Sequence, residues 1–386
     1  MEYQVYAVPC PDYGGAEQAI RETVAAMGGM ERFVHPGERI LLKANLLRPV
    51  PPESAICTHP AVVAAIARLV KEAGGTAVIG DSPGGALQKE SVLRNLYEKT
   101  GMARAAEEAG AELALDPSAR LVDLPEGQVL RQAEIIAPVL DTDGAFDLCK
   151  MKTHVFMSMT GAVKNSFGII PGLAKVGFHG SHHSHEQFAQ VLLDLVGFLN
   201  PRLCVMDAVL AMEGEGPGSS GTPRQVGLLL LSDSPLALDV IAGEIMGLPR
   251  EHNPVLLAAA ARGLSPTLPE EIQLVGAKLE DLRIPDYRLP KFVWEDLMGF
   301  LGPLTRAAHR LTKGLLTQTP HIMEDRCVGC AICKNACPGK AITMTGKGGK
   351  AKVHPRSCIH CYCCHELCPQ KAVELRRGWL GRRLGG

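Results

Sequence analysis

From the N-terminus to about residue 285, short apolar runs alternate with longer stretches whose apolar residues return every three or four positions. The short runs predict strands at 40–44, 76–79, 145–149, 203–206 and 226–231, and the longer stretches predict helices at 16–27, 60–73, 91–109, 185–199, 235–246 and 254–261. Thr58-His59-Pro60 suits a helix start, with Thr58 or His59 near the cap, and Gly74-Gly75 suits its end. Strands that alternate with helices and are apolar throughout argue for an α/β domain over 1–285, a largely parallel open sheet with flanking helices. Over 286–320 Phe292, Trp294, Leu297, Leu301, Leu304 and Leu311 recur at near-helical steps among Lys291, Arg306, Arg310 and Lys313, which predicts an amphipathic linker helix. A small α+β domain over 321–375 and a basic tail over 376–386 complete the order.

The composition suits this division. The chain has 386 residues, is 46% apolar and 21% charged, and carries a formal net charge of -1. It is too apolar to be disordered, and its charge gives no global case for a nucleic-acid partner. No apolar stretch reaches the ~18 residues that a membrane span needs, and the start lacks a basic region followed by an apolar run. A soluble, cytoplasmic protein is expected.

Cysteine changes the picture. Nine of the 13 cysteines fall between Cys327 and Cys368. A disulfide scaffold would be short, secreted and evenly stapled, so metal binding is the better reading. Cys327-x2-Cys330-x2-Cys333-x3-Cys337-Pro338 is followed by Cys358-x2-Cys361-x2-Cys364-x3-Cys368-Pro369. Zinc sites bring ligands in separated pairs, whereas three cysteines at steps of three before Cys-Pro are the run that holds [4Fe–4S] clusters. Two clusters are expected, with the fourth cysteine of each run crossing to the other cluster. Cluster one then uses Cys327, Cys330, Cys333 and Cys368, and cluster two uses Cys358, Cys361, Cys364 and Cys337. Cys363 is left as an unligated thiol. From about Met323 to Leu375 the segment resembles the dicluster bacterial-type ferredoxins.

In the α/β domain, polar residues sit just after the expected strands, where open parallel sheets bind ligands. Lys43 and Asn45 follow Ile40-Leu41-Leu42 of the first. Asp81 opens Gly80-Asp81-Ser82-Pro83-Gly84-Gly85. Lys150, Lys152 and His154 follow the third, and Asp207 and Glu213 the fourth. Thr160 to Gly168, with Gly161, Lys164 and Asn165, suits an anion held by backbone N–H groups and an ammonium, although it is no Walker A loop. Met212 to Gly218 reads as a flexible lid, and no Gly-x-Gly-x-x-Gly follows a strand. His179, His182, His183 and His185 could bind a divalent metal or handle protons.

Lys43-x-Asn45, His59-Pro60, Gly80-Asp81-Ser82-Pro83-Gly84, Lys152-x-His154, Lys164-Asn165 and Met206-Asp207-Ala208 with Glu213-Gly214-x-Gly216-Pro217 occur in this order. The pattern resembles domain-of-unknown-function family 362, whose members often carry a C-terminal dicluster ferredoxin module. The resemblance implies that the α/β domain works with iron–sulfur electron transfer, and it names no substrate.

Two functions are therefore expected as alternatives. In the first, an iron–sulfur oxidoreductase, Lys43, Lys152, His154 and Lys164 bind anionic groups of a small substrate or cofactor, and Asp81, Asp207 or a loop histidine handles protons. Asn45, Thr160, Gly161 and Asn165 line that site, which could also take a flavin or a divalent metal. In the second, the chain is an electron carrier or adaptor whose α/β domain only docks a redox partner protein or a small ligand. Residues 321–386 hold 12 basic and 4 acidic residues, while the remainder is acidic on balance. Opposite charges on linked domains predict that the module docks on the α/β domain.

Overall fold

The computed structural model describes residues 3–84, 89–182, 184–290, 318–346 and 348–376. The expected linker residues Phe292 to Lys313, and Arg377, Arg382 and Arg383 of the tail, lie outside the described residues. Eleven strands are described in the first part: β1 Tyr3–Pro9, β2 Arg39–Ala44, β3 Thr76–Gly80, β4 Glu112–Leu113, β5 Ala119–Asp123, β6 Gln132–Ile136, β7 Gly144–His154, β8 Ser158–Thr160, β9 Leu203–Gly214, β10 Gly221–Ser232 and β11 Ile272–Val275. Nine of them form one sheet in the order β11-β1-β10-β9-β7-β2-β3-β4, with β8 paired to β7. From β9 to β4 neighbours run parallel, whereas β10 is antiparallel to both β9 and β1. The sheet is thus mixed and mostly parallel. β5 and β6 form a separate hairpin.

Successive side chains of the parallel strands enter opposite cores, as the period of two requires. Ile40, Leu42, Phe146, Leu148, Leu203 and Val205 enter a core shared with the helices Ala16–Ala26 and Pro60–Glu72. Leu41 and Ala145 point to the helix His185–Leu199, and Cys149, Cys204 and Met206 to the helix Pro235–Ile245. Helices therefore cover both faces, which explains strands without polar alternation. Their starts carry the expected signals. His59 Nδ1 accepts the Ala61 N–H, and Ser234 caps the helix that opens with Pro235. The stretch expected as one helix over 91–109 is two, Glu90–Lys99 and Met102–Ala109. Gly101 between them has φ 77° and lies against Pro60, where a Cβ would stand 3.1 Å from the ring.

β7 and β9 run well past their expected ends at 149 and 206. The extra lengths still pair in parallel with each other at Lys150/Asp207 and Lys152/Met212, and they also find antiparallel partners: Lys152–His154 pair with β8, and Leu210–Gly214 with the start of β10. Where the β9 ladder is irregular, side chains take over, the Val209 N–H donating to Asp207 Oδ1 and the Leu210 N–H to Tyr13 Oη. Lys150, Lys152, His154 and Asp207 are therefore buried strand residues and not residues of the following loops.

The C-terminal part has β12 Thr319–Ile322 paired to β15 Val373–Arg376, β13 Ile342–Met344 paired to β14 Ala351–Val353, and the short helices Ile332–Asn335 and Cys363–Leu367. The two cysteine runs share one backbone path. Ala331 and Tyr362, each one residue after a cysteine, take φ 61° and 59° at the same point before a short helix. In this repeat Ile332 is the counterpart of Cys363.

Candidate functional site

A cleft with about 760 Å³ of empty space, partly open to solvent, lies where the parallel strands end and the C-terminal part meets them. Asn45 comes from the end of β2, Asp81 and Ser82 from the end of β3, Lys152 from β7 and Thr160 from β8. The helix Ala162–Asn165 and its continuation give Lys164, Asn165 and Phe167, the helix Gly172–Ser181 gives Lys175, and Cys363, Glu366 and Leu367 close the wall.

Beneath the floor, Lys43 Nζ lies 2.8 Å from Asp81 Oδ1 and donates to the Ala44 carbonyl at 2.7 Å. Asp81 also accepts N–H groups from Leu46 at 2.6 Å and Ser82 at 2.8 Å. Gly168 covers this pair so closely that a Cβ would stand 2.3 Å from Lys43 Nζ. Lys43 and Asp81 are thus a neutral brace under the pocket. Lys152 Nζ donates to Asn45 Oδ1 at 2.6 Å and to the Ile56 carbonyl at 2.7 Å. Asn165 ties the floor together, accepting from Asn45 Nδ2 at 2.9 Å and donating to Asp147 at 2.7 Å.

With Lys43 balanced by Asp81, the lining retains the ammonium groups of Lys152, Lys164 and Lys175 against the carboxylate of Glu366. Lys164 and Lys175 stand 6.0 and 5.8 Å from the Phe167 ring centre, so cation–π contacts support both. Burial pushes Lys152 and Lys175 each down to about 8 and lowers Lys164 too, because desolvation disfavours the ammonium form. Such a lining is ready for an anion that restores the charge. The Thr160 hydroxyl, buried in the same wall, has no hydrogen-bond partner among the described residues. Thr160→Val should leave the thermal melting point unchanged or raised, since an unpaired buried hydroxyl costs ~1–3 kcal/mol. A clear fall in melting temperature would show that the hydroxyl is paired and not held for a ligand.

The other expected site residues lie elsewhere. His154 Nδ1 accepts N–H groups from Phe156 at 3.0 Å and Met157 at 3.2 Å, and its Nε2 is 3.8 Å from Glu366 at the pocket edge. Asp207 belongs to a separate buried network, bonded to Lys150 Nζ at 2.6 Å, Tyr13 Oη at 3.0 Å and the His59 N–H at 2.9 Å. Both its oxygens are taken by these partners, and it is not among the residues that line the cleft. Gly161 is no phosphate cradle: the N–H groups of Ala162 and Val163 are taken by the buried carboxylate of Asp239, and a Cβ on Gly161 would overlap that carboxylate. The segment expected as a lid is the end of β9 and the turn into β10. The Val155 N–H binds the Gly216 carbonyl at 3.1 Å, and Glu213 is buried against Arg288 at 2.7 Å. His185 packs edge-on against Phe156, His182 lies 2.9 Å from Ser181 Oγ, and His183 and the His179 side chain lie outside the described residues. Lys175 and Glu366 were not anticipated. The first lies in the unpredicted helix Gly172–Ser181, and the second is inside the cysteine run, where only the fold brings it to the pocket.

Two further cavities lie in the C-terminal part. Cys327, Cys330, Cys333 and Cys368 line one; Cys337, Cys358, Cys361 and Cys364, with Cys363, line the other. The fourth cysteine of each run thus stands in the opposite cavity. Among the described residues, no three His, Cys, Asp or Glu side chains gather tightly enough to hold one ion. Thiols spread round a void suit a cuboidal cluster, whereas tetrahedral zinc needs them to converge. Backbone N–H groups of Ala341 and Ala372 reach Cys337 Sγ at 3.2 Å and Cys368 Sγ at 3.3 Å, contacts of the kind that tune a cluster's potential.

Known proteins share both parts. Residues 40–244 match the family described as a domain of unknown function, DUF362, and residues 326–372 match a 4Fe-4S dicluster domain. A thylakoid-associated protein of Synechocystis sp. is 32% identical over 300 residues, covering 72% of this chain and 88% of its own. The lactate racemase apoprotein of Thermoanaerobacterium thermosaccharolyticum aligns with a TM-score of 0.41 at 12% identity, over 64% of this chain and 58% of that one. A Thermotoga maritima protein aligns with a TM-score of 0.35 at 11% identity, over 58% and 56%. The chain thus spans less than two thirds of either structure. Among the described residues no helix is long and apolar enough to cross a membrane.

Proposed function

Because the chain belongs to the DUF362 family and joins that domain to a 4Fe-4S dicluster domain for iron–sulfur electron transfer, we propose that it is an oxidoreductase acting on a small anionic molecule in the lysine-lined cleft. One observation carries this reading: Cys363 lines both the cleft and the cavity of the second cysteine set. A cluster held by Cys358, Cys361, Cys364 and Cys337, paired with one held by Cys327, Cys330, Cys333 and Cys368, would supply single electrons at that wall.

The chain's own residues do the rest. Lys152, Lys164 and Lys175 hold the anionic group, Thr160 and Asn45 orient it, and Phe167 offers a flat apolar face. The Lys43–Asp81 brace keeps the floor rigid. The proposed setting is the cytoplasm, where thiols stay reduced for cluster assembly.

Sulfate is a suitable probe, since its charge is constant through the range in which these lysines titrate. It should raise the melting temperature of the full chain, and Lys152→Ala, Lys164→Ala and Lys175→Ala should each remove most of that rise. Lys152 and Lys175 titrate in the folded chain near 8, below their usual value. Their ammonium forms are present below that pH and lost above it. The sulfate effect should therefore fade as pH rises through about 8. A rise that is unchanged in all three variants would remove the anion site. Reduced clusters that no small anion reoxidises would favour the carrier alternative.

A further inference from the structure

The two halves of the cysteine repeat face different surroundings. The second half is turned inward. Glu366 and Leu367 line the cleft, Gly218 lies against the Glu366 backbone, and His365 Nε2 is 3.3 Å from the Glu215 carbonyl. The first half is turned outward. Among the described residues Cys330 is exposed, and Val328 and Ile332 beside it are 61% and 40% exposed. Val328, Cys330 and Ile332 all line the first cavity, so this rim is an exposed edge of the group it would hold.

Basic side chains surround the rim. Lys334 follows Cys333, Lys350 Nζ binds the Cys327 carbonyl, and Lys371 lies between the cavity-lining Gln370 and Ala372; all three lysines are exposed. Three of the four acids of this part are engaged, and the fourth, Glu324, is exposed. Glu366 faces the cleft, Glu374 pairs with Arg326 at 3.2 Å and Arg376 at 3.3 Å, and Asp325 lies 3.8 Å from Arg326. A small apolar centre with a cationic border selects a partner whose own surface is acidic around an apolar spot.

We propose that this rim is the docking site of an acidic electron-carrier protein, which exchanges one electron at a time with the first cluster. The carrier loses the electron that the cluster gains, or the reverse, and no bond or proton changes place. Two other occupants fit less well. The chain's own residues 291–317 include Lys291, Arg306, Arg310 and Lys313 against Glu295 and Asp296, so they share the sign of the rim. An anionic bilayer would match the charge but supplies no electron to the exposed edge. The inference rests on the reading that the cavities hold clusters.

The test uses the reconstituted full chain and an acidic plant-type [2Fe–2S] ferredoxin, with binding measured by calorimetry from low to high salt. Wild-type chain should bind it, and more weakly as salt rises. A Lys334→Glu/Lys371→Glu chain should bind about tenfold more weakly or worse at low salt, as charge reversal at a docking rim predicts. Val328→Ser, which changes no charge, should weaken binding without altering the salt slope. Reduction by dithionite, read from cluster absorbance, should match wild type in every variant. Undiminished ferredoxin binding by variants with normal dithionite reduction overturns the docking site alone. So does a wild-type chain that ignores the ferredoxin but sediments with phosphatidylglycerol vesicles. A wild-type chain that takes up no cluster overturns the cluster reading instead.

Discussion

Replacing Cys337 by serine should empty the second cavity while leaving the first filled, although Cys337 belongs to the first cysteine run. Anaerobic assays should return about four irons and four sulfides per chain in place of about eight of each. The reason is spatial: Cys337 lines the cavity of Cys358, Cys361 and Cys364, whereas Cys368 lines that of Cys327, Cys330 and Cys333. Cys368→Ser should produce the reciprocal loss. Cys363→Ser should keep both, since its counterpart in the other run is Ile332, a side chain with no ligating atom. Loss of the first cluster in Cys337→Ser, or of either in Cys363→Ser, would overturn the crossed assignment.

The second large effect concerns the buried pair away from the cleft. Lys150 and Asp207 are both 0% exposed and lie 2.6 Å apart. Asp207→Ala leaves an ammonium without its carboxylate in the sheet, and also strips acceptors from the Tyr13 hydroxyl and the His59 N–H. Breaking such a pair from one side typically costs ~3–5 kcal/mol, whereas replacing both partners by apolar side chains is often neutral. Denaturant unfolding should therefore show a severe loss for Asp207→Ala and a substantial recovery in Lys150→Met/Asp207→Leu. If the double variant is no better than the single one, the pair contributes more than charge balance. Sulfate stabilisation, which depends on the other lysines, should persist wherever the chain folds.

Hydrophobic periodicity marked most elements of the α/β sheet because packing on two faces leaves apolar strands, and Cys-x2-Cys-x2-Cys-x3-Cys-Pro marked the cluster module because ligand spacing is local. Strand ends were less legible. A lysine or an aspartate ordinarily announces solvent, yet Lys150, Lys152 and Asp207 remain in strands since their partners lie far along the chain. Lys43 meets Asp81, and Asp239 reaches back to Ala162 and Val163; no local pattern displays such matches. The helix bearing Lys175 starts at Pro171-Gly172 and holds three glycines by residue 180, so its propensity signal is weak. Charge was a partial guide. Net charges foretold contact between the two parts, but the contact itself reverses their signs, setting Glu366 of the basic module against the lysines of the acidic domain.

The opposite orientations of the two cysteine runs also bear on survival in air. The Cys330 side is open to dissolved oxygen, while the Cys364 side is shielded by the cleft wall and by Tyr362, which is 2% exposed. In the proposed two-cluster arrangement, oxidative loss would then begin at the outer cluster. A damaged chain would keep its inner cluster and its bound anion but lose its supply of electrons. In that arrangement the outer cluster would act as a fuse, cutting the supply of electrons to the cleft when it is lost.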